Sequence, residues 1–245
     1  MRCKITAFKI AALMTALLAG LIVGSTAWAM TDAEVEQLVS RHLQPLVADG
    51  DGAAVAVHLD GRTLFFNYGL ADRSKKQPVS SDSLFNLASV GKVFISTLLA
   101  QAVKQDELSL DDPVAKYVTA LQRGGDIRKV TLRQLASHTS GLPRTPREPG
   151  HKGAYSRPEF LNYLVNWKAD SGHEPGKQDI YSNAAFALLQ LALQRRFDMP
   201  AAQLLHQRLL QRLGMTSTTL PVPGKESRGE LAPAFKRRAV QGYGP

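Results

Sequence analysis

Two β-prone runs, Ala53–Leu59 and Thr63–Tyr68, flank the dipeptide Asp60-Gly61. A two-residue loop closed by glycine is a strong antiparallel hairpin signal, because the turns that match strand twist need positive φ at the loop residues. No other feature narrows the fold as much. Two strands alone are marginal in water and must find further strands or a packed helix. Upstream, Thr31 to Val47 spaces Val35, Leu38, Val39, His42 and Leu46 along one helical face, so a first amphipathic helix is expected there. Downstream, Gly69-Leu70-Ala71-Asp72 continues into a third short strand or a turn.

From Ser89 the texture becomes helical. Val93, Phe94, Thr97, Leu98 and Gln101 keep a helical spacing until Asp106-Glu107, and Leu108–Pro113 reads as a turn before a short helix. Thr131–Leu135 starts a further helix, which His138-Thr139-Ser140-Gly141-Leu142-Pro143 stops with glycine and proline. Arg144–Gly153 reads as a long surface loop. Helices are expected over Pro158–Trp167, Ser182–Phe197 and Ala201–Leu213, the last closed by Gly214, with irregular chain after Pro221. Helix, hairpin and then a long helical middle make an α/β (α+β) fold. Nothing after Leu213 supplies convincing strand partners for the hairpin.

The first 29 residues have the pattern of an export signal. Arg2, Lys4 and Lys9 precede the uncharged apolar run Ile10–Val23, and Ala27-Trp28-Ala29 places small residues for cleavage after Ala29. The alternative is an uncleaved anchor, since the apolar run is near the lower length limit for spanning. Cleavage leaves 216 residues, enough for one large core or two lobes. It also removes Cys3, the only cysteine, and lowers the formal charge from +9 to +6. Lys236-Arg237-Arg238 is the only tight basic cluster and lacks interleaved aromatics, so it reads as a solvated loop and not as a nucleic-acid surface.

Several familiar sites are excluded by inspection: a Gly-x-Ser-x-Gly elbow, a His-Glu-x-x-His zinc helix, a phosphate loop and a dinucleotide fingerprint. The histidines at 42, 58, 138, 151, 173 and 206 stand singly and read as surface or locally bonded residues. Ser89-Val90-Gly91-Lys92 is different. Residues three apart share a helical face, so the Lys92 ammonium can sit beside the Ser89 hydroxyl. A helix start also offers backbone N–H groups and positive potential to a developing oxyanion. A desolvated Lys92 can act as base, or it can hold another base in its anionic form. On spacing alone the pattern is equally a plain helix start with an exposed lysine.

Tyr181-Ser182-Asn183 is the second candidate. A phenol near Lys92 can carry a proton from Ser89 to a leaving nitrogen, and Asn183 offers an amide to a substrate carbonyl and to the lysine. The competing reading is a tyrosine packed at a helix start with Asn183 as cap. The two motifs are 92 residues apart, so only folding can bring them together.

Phe85-Asn86-Leu87-Ala88-Ser89-Val90-Gly91-Lys92, Leu108–Pro113, His138–Pro143 and Glu174-Pro175-Gly176…Tyr181-Ser182-Asn183 occur in that order. Together they resemble the class C β-lactamases and their relatives, the DD-peptidases and family VIII carboxylesterases. Gly214-Met215-Thr216-Ser217-Thr218 resembles the Gly-Met-x-x-Thr turn of the same group. The resemblance implies the serine β-lactamase/DD-peptidase-like fold, a helical domain with an antiparallel sheet domain, over residues 30–245. It implies Ser89 as nucleophile through an acyl-enzyme, Lys92 and Tyr181 as its proton-transfer pair, and Asn183 as a substrate contact. The implied partner is a small-molecule β-lactam or a peptidoglycan-like substrate. No cofactor, no metal and no nucleic acid is expected. After signal cleavage no stable membrane anchor is expected, so the chain reads as a periplasmic monomer.

One element of the family pattern is not found. No Lys-Thr-Gly or His-x-Gly segment follows Tyr181, so the C-terminal strands of the sheet are expected to be missing and the chain to be truncated, with weak or no lactam hydrolysis. A DD-peptidase or carboxylesterase using the same Ser89 is the alternative within the group. A non-catalytic remnant that binds cell-wall or partner surfaces is the alternative outside it.

Overall fold

A computed structural model describes residues 30–146, 155–221 and 231–241. The expected export signal and most of the Arg144–Gly153 loop lie outside these residues. The described chain divides into two compact units, one reaching Ser83 and including Val240 and Gln241, the other running from Leu84 to Ala239. No helix among the described residues is long and apolar enough to cross a membrane.

The first unit holds helix α1 (Asp32–Val47) and a three-stranded sheet in the order β1 (Gly52–Leu59), β2 (Arg62–Asp72), β3 (Gln77–Pro78). Helix α1 opens on a capping box: Thr31 Oγ1 accepts from the Glu34 N–H at 3.2 Å, and the Glu34 carboxylate accepts from the Thr31 N–H at 2.8 Å. Strands β1 and β2 pair antiparallel through to Leu59 and Arg62, with Asp60 and Gly61 both at positive φ, 50° and 76°. This is the two-residue hairpin expected from Asp60-Gly61. The Gly69–Asp72 segment extends β2 and is not itself a third strand; that strand is Gln77–Pro78.

The expected apolar face of α1 is only partly used. Val35 is buried, whereas Leu38 and Leu46 stay 44% and 70% exposed. Three strands, the last of two residues, are too narrow to cover a 16-residue helix. His42 and His58 are locally bonded, to the Leu38 carbonyl at 2.8 Å and to Thr63 Oγ1 at 2.9 Å.

The second unit is helical: α2 (Gly91–Lys104), α3 (Leu132–Ala136), α4 (Arg157–Asn166), α5 (Asn183–Phe197), α6 (Ala201–Leu205) and α7 (Pro233–Lys236). Helix α5 is the hub. Leu188, Leu189, Leu191, Ala192 and Leu193 are all buried, so α5 is apolar around most of its circumference, as a central helix must be. It packs against α2, α3 and α6. Helices α3 and α4 open on capped starts. Thr131 with Gln134 and Ser156 with Glu159 form capping boxes, and Pro158 sits in the first turn of α4.

Two expectations in this unit are corrected. The helix expected over Ala201–Leu213 keeps α geometry only to Leu205 and then widens into a π-helical turn, His206–Leu210. Leu205 and Leu210 are both buried although five residues apart, a separation that a regular helix turns through about 140°. The wider turn reconciles that pattern with the core. Likewise, the chain after Pro221 is not uniformly irregular. Residues 231–241 carry α7, and the Leu84 N–H donates to the Arg238 carbonyl at 2.8 Å. Lys236 therefore ends a helix, and Arg238 donates to Ser217 Oγ at 2.9 Å, so the basic cluster is not a plain solvated loop.

The Leu108–Pro113 motif is structural. Asp111 takes a two-pronged contact from Arg133 at 2.9 and 3.1 Å. Asp112 accepts from Lys116 Nζ at 2.8 Å, the Tyr117 hydroxyl at 2.5 Å and the Ser109 N–H at 2.8 Å. Burial pushes the Asp112 carboxyl up, but Lys116, Tyr117 and the Ser109 N–H outweigh it and hold its pKa at about 2, below the ordinary 3.8. A depressed carboxylate stabilises the fold above its unfolded value, and that stability is lost as pH falls through the folded value. Thermal stability is therefore expected to weaken from about pH 4 down to pH 2. Asp112→Ala is expected to cost about 2–3 kcal/mol at pH 7 and to flatten that acid slope. Melting curves of both proteins across this range check it; an unchanged slope in the variant would remove Asp112 from the account.

Candidate active site

The candidate site is built within the helical unit from two helix starts and one loop. Ser89 lies in a 3-10 turn, Ala88–Val90, that leads directly into α2, so Lys92 is the second residue of α2 itself. Ala88 has φ of 45°, a conformation that costs a residue with a Cβ, and its N–H is held by Asn86 Oδ1 at 2.9 Å. Ser89 follows directly on that left-handed step. Ser89 is exposed and Lys92 half-buried.

Tyr181 and Asn183 come from the start of α5. The helix cap is Ser182, not Asn183: fully buried, its Oγ accepts from the Ala185 N–H at 2.9 Å and donates to the Pro143 carbonyl at 2.7 Å. With the cap supplied by its neighbour, Asn183 is left to face Lys92.

All four residues singled out from the sequence meet here. The Tyr181 hydroxyl donates to Ser89 Oγ at 2.6 Å, and Lys92 Nζ donates to Ser89 Oγ at 3.2 Å and to Asn183 Oδ1 at 2.8 Å. Lys92 Nζ also lies 4.9 Å from the centre of the Tyr181 ring and 5.6 Å from that of Phe186. The Arg144 guanidinium is 5.3 Å from the Tyr181 ring centre. The Lys92 ammonium, the Ser89 hydroxyl and the charge of Arg144 hold the Tyr181 phenol below its ordinary value of 10.0, against the opposing effect of burial. Two cations thus surround the one group whose ionised form can take a proton from Ser89.

The His138–Pro143 and Glu174–Asn183 motifs are clasped together. Gly176 N–H donates to the Thr139 carbonyl at 2.7 Å, Ile180 N–H to the His138 carbonyl at 2.8 Å, and Asn183 N–H to the Arg144 carbonyl at 2.9 Å. Gly141, at φ of 75°, lies so close to the second segment that a Cβ there would be 2.1 Å from the His173 carbonyl oxygen.

His138 and Arg144 are site residues that sequence reasoning did not single out. The Ser182 N–H donates to His138 Nδ1 at 3.1 Å, and the His138 ring stacks 4.6 Å from Tyr181 and 5.0 Å from Phe186, centre to centre. The reading of His138 as a surface or locally bonded residue is corrected, because its partners lie more than 40 residues away in the chain. The available signal was its place in an ordered motif.

The site sits inside the segment that comparison with known proteins assigns. The Beta-lactamase family model matches residues 39–234. The chain belongs to the β-lactamase family. It is 33% identical over 194 residues to a β-lactamase of Pseudomonas fluorescens, an alignment covering 78% of this chain and 52% of that protein. It is 33% identical over 221 residues to a β-lactamase of Escherichia coli (strain K12), covering 87% and 56%. Among solved structures, one described as a class C β-lactamase superposes with a TM-score of 0.72 at 28% identity, covering 87% of this chain and 56% of that one. A crystal structure of another class C β-lactamase gives 0.69 at 30% identity, covering 82% and 55%. The fold expected from the ordered motifs is therefore the fold found. This β-lactamase-family chain spans about half the length of the curated relatives it matches.

Proposed function

We propose that this chain carries the acylation half-site of a class C-type serine β-lactamase, in which Ser89 opens the lactam ring through a covalent acyl-enzyme. The contact between Ser89 Oγ and the Tyr181 hydroxyl at 2.6 Å, with Lys92 beside both, carries the reading. As the phenolate, Tyr181 takes the Ser89 proton while Oγ attacks the lactam carbonyl carbon. The carbonyl oxygen becomes an oxyanion facing the Ser89 backbone N–H. Collapse of the tetrahedral adduct breaks the carbon–nitrogen bond, and the lactam nitrogen takes its proton from Tyr181. Water, activated at the regenerated phenolate, then releases the ring-opened acid.

Lys92 works here as an ammonium and not as the base. It donates to two oxygens and stabilises the phenolate form of Tyr181, which a neutral amine would not do. Asn183 Oδ1 is used by Lys92, which leaves its Nδ2 for the carbonyl of a substrate side-chain amide. An exported, periplasmic location and a monomeric state belong to the same reading. The location is supported by the charged, apolar and small-residue order of residues 1–29.

The substrate class is tested by comparing hydrolysis of a chromogenic cephalosporin with that of a p-nitrophenyl ester, using the purified chain. Acylation by the lactam with weak or no turnover, both absent in Ser89→Ala, is expected. Ester turnover with no lactam acylation would replace this reading with an esterase.

A further inference from the structure

Both backbone N–H groups that flank Tyr181 in the chain end on one residue. Ile180 N–H donates to the His138 carbonyl at 2.8 Å, and Ser182 N–H donates to His138 Nδ1 at 3.1 Å. The His138 ring then stacks on the Tyr181 ring, 4.6 Å between centres and 34° between planes. Its other contact, Phe186, also lies against Lys92. His138 has φ of 62°, a left-handed conformation that turns its carbonyl and its ring toward the same strand of chain. One residue therefore grips the backbone on each side of the phenol, through its carbonyl on one side and its ring on the other, and the ring covers the phenol itself.

The hydrogen bond fixes the chemistry of the ring. An imidazole nitrogen that accepts an N–H bears no proton, so the neutral ring must carry its hydrogen on Nε2. Protonation would put an N–H on Nδ1, directed at the Ser182 N–H. We propose that His138 is a positioning residue for Tyr181, whose neutral imidazole holds the phenol at Ser89 and whose protonation releases it. The proposal rests on the reading of Tyr181 as proton carrier.

The charged groups around His138 are Lys92 from α2, Asp179 from the segment before Tyr181, Tyr181 itself, and Arg144 against the Tyr181 ring. Burial, reinforced by Lys92 and opposed by Asp179, pushes the imidazole below its ordinary value of 6.5. The clasp is therefore closed at neutral pH and opens only in acid.

Acylation should fall in two steps as pH is lowered, first as the Tyr181 phenolate is protonated and again as His138 is. Asparagine tolerates positive φ and places Oδ1 near the position of Nδ1. His138→Asn keeps the acceptor but loses the ring on Tyr181, so it should acylate faster at neutral pH than His138→Phe and should lose the second step. His138→Phe keeps an aromatic ring but no acceptor, and should slow acylation about 10- to 100-fold with little change in the non-covalent dissociation constant.

The decisive measurement is made on the 15N-labelled full chain by NMR. A neutral His138 with its proton on Nε2, and Ser182 amide and Tyr181 ring signals that shift with the His138 titration midpoint, are expected. A proton on Nδ1, or Ser182 and Tyr181 signals that ignore the titration, would overturn the proposal whether or not the variants fold. If Tyr181→Phe acylates as fast as the parent, the reading of Tyr181 fails. If Tyr181→Phe is inert but His138→Asn keeps the second step, the clasp fails alone.

Discussion

Lys92→Ala should slow acylation of Ser89 by about 10³- to 10⁴-fold while leaving the fold in place. The loss is large because one ammonium serves three groups. It donates to Ser89 Oγ and to Asn183 Oδ1, and it is the first of the charges that depress the Tyr181 phenol. Without it the phenol returns toward its ordinary value and less of it is ionised at any working pH. The activity that rises with pH through the Tyr181 value should accordingly move to higher pH in the variant, on top of the lower plateau. Stability should change little, since Lys92 is only half-buried. Lys92→Arg should not rescue the rate, because a planar guanidinium cannot donate from a single point to both Ser89 and Asn183. A pH profile of the second-order acylation constant checks all of this. An unshifted profile in Lys92→Ala would mean that Tyr181 is not held by Lys92.

Gly141→Ala should be the most damaging small substitution in the helical unit, costing at least about 3 kcal/mol. Two independent effects add. The backbone at Gly141 has φ of 75°, which an alanine adopts only at a cost, and the added Cβ would be 2.1 Å from the His173 carbonyl oxygen. That neighbour is backbone and cannot swing away as a side chain could. Relief has to come from separating the His138–Pro143 and Glu174–Asn183 segments, which also carries Tyr181 away from Ser89. Resistance to chemical denaturation and acylation should therefore fall together in this variant. Gly91→Ala is the control, because nothing lies within 4 Å of a Cβ there. A stable and fully active Gly141→Ala protein would contradict the clasp.

The parts of the fold that are written locally were legible in the sequence. Asp60-Gly61 specified the hairpin, and Thr131–Leu135 read as the start of a helix. The apolar run after Asn183 marked α5. Each is a contact between near neighbours, so the pattern and the structure share the same short range. The widened turn at His206–Leu210 was not legible, because it answers to core packing and not to propensity. The helix at Pro233–Lys236 was missed for a similar reason: it is four residues long, and its chain is held by distant hydrogen bonds to Leu84 and Ser217.

The site divides in the same way. Ser89 and Lys92 sit at helical spacing and could be paired from sequence. Tyr181 and Asn183 could be nominated from residue type and motif order, but their meeting with Lys92 is a tertiary fact. Asn183 could have been a helix cap; Ser182 takes that place, which frees the amide for the lysine. His138 looked like an isolated histidine because both groups that it holds are brought to it only by folding.

The central claim is that Ser89 is the acylated nucleophile of a β-lactam-opening site. Incubating the purified chain with a penicillin, and measuring intact mass followed by peptide mapping, tests it most directly. A gain equal to the whole mass of the penicillin, located on Ser89 and absent in Ser89→Ala, is the predicted result. A parent chain that gains no mass under conditions where it is folded, or one labelled at a residue other than Ser89, would contradict it.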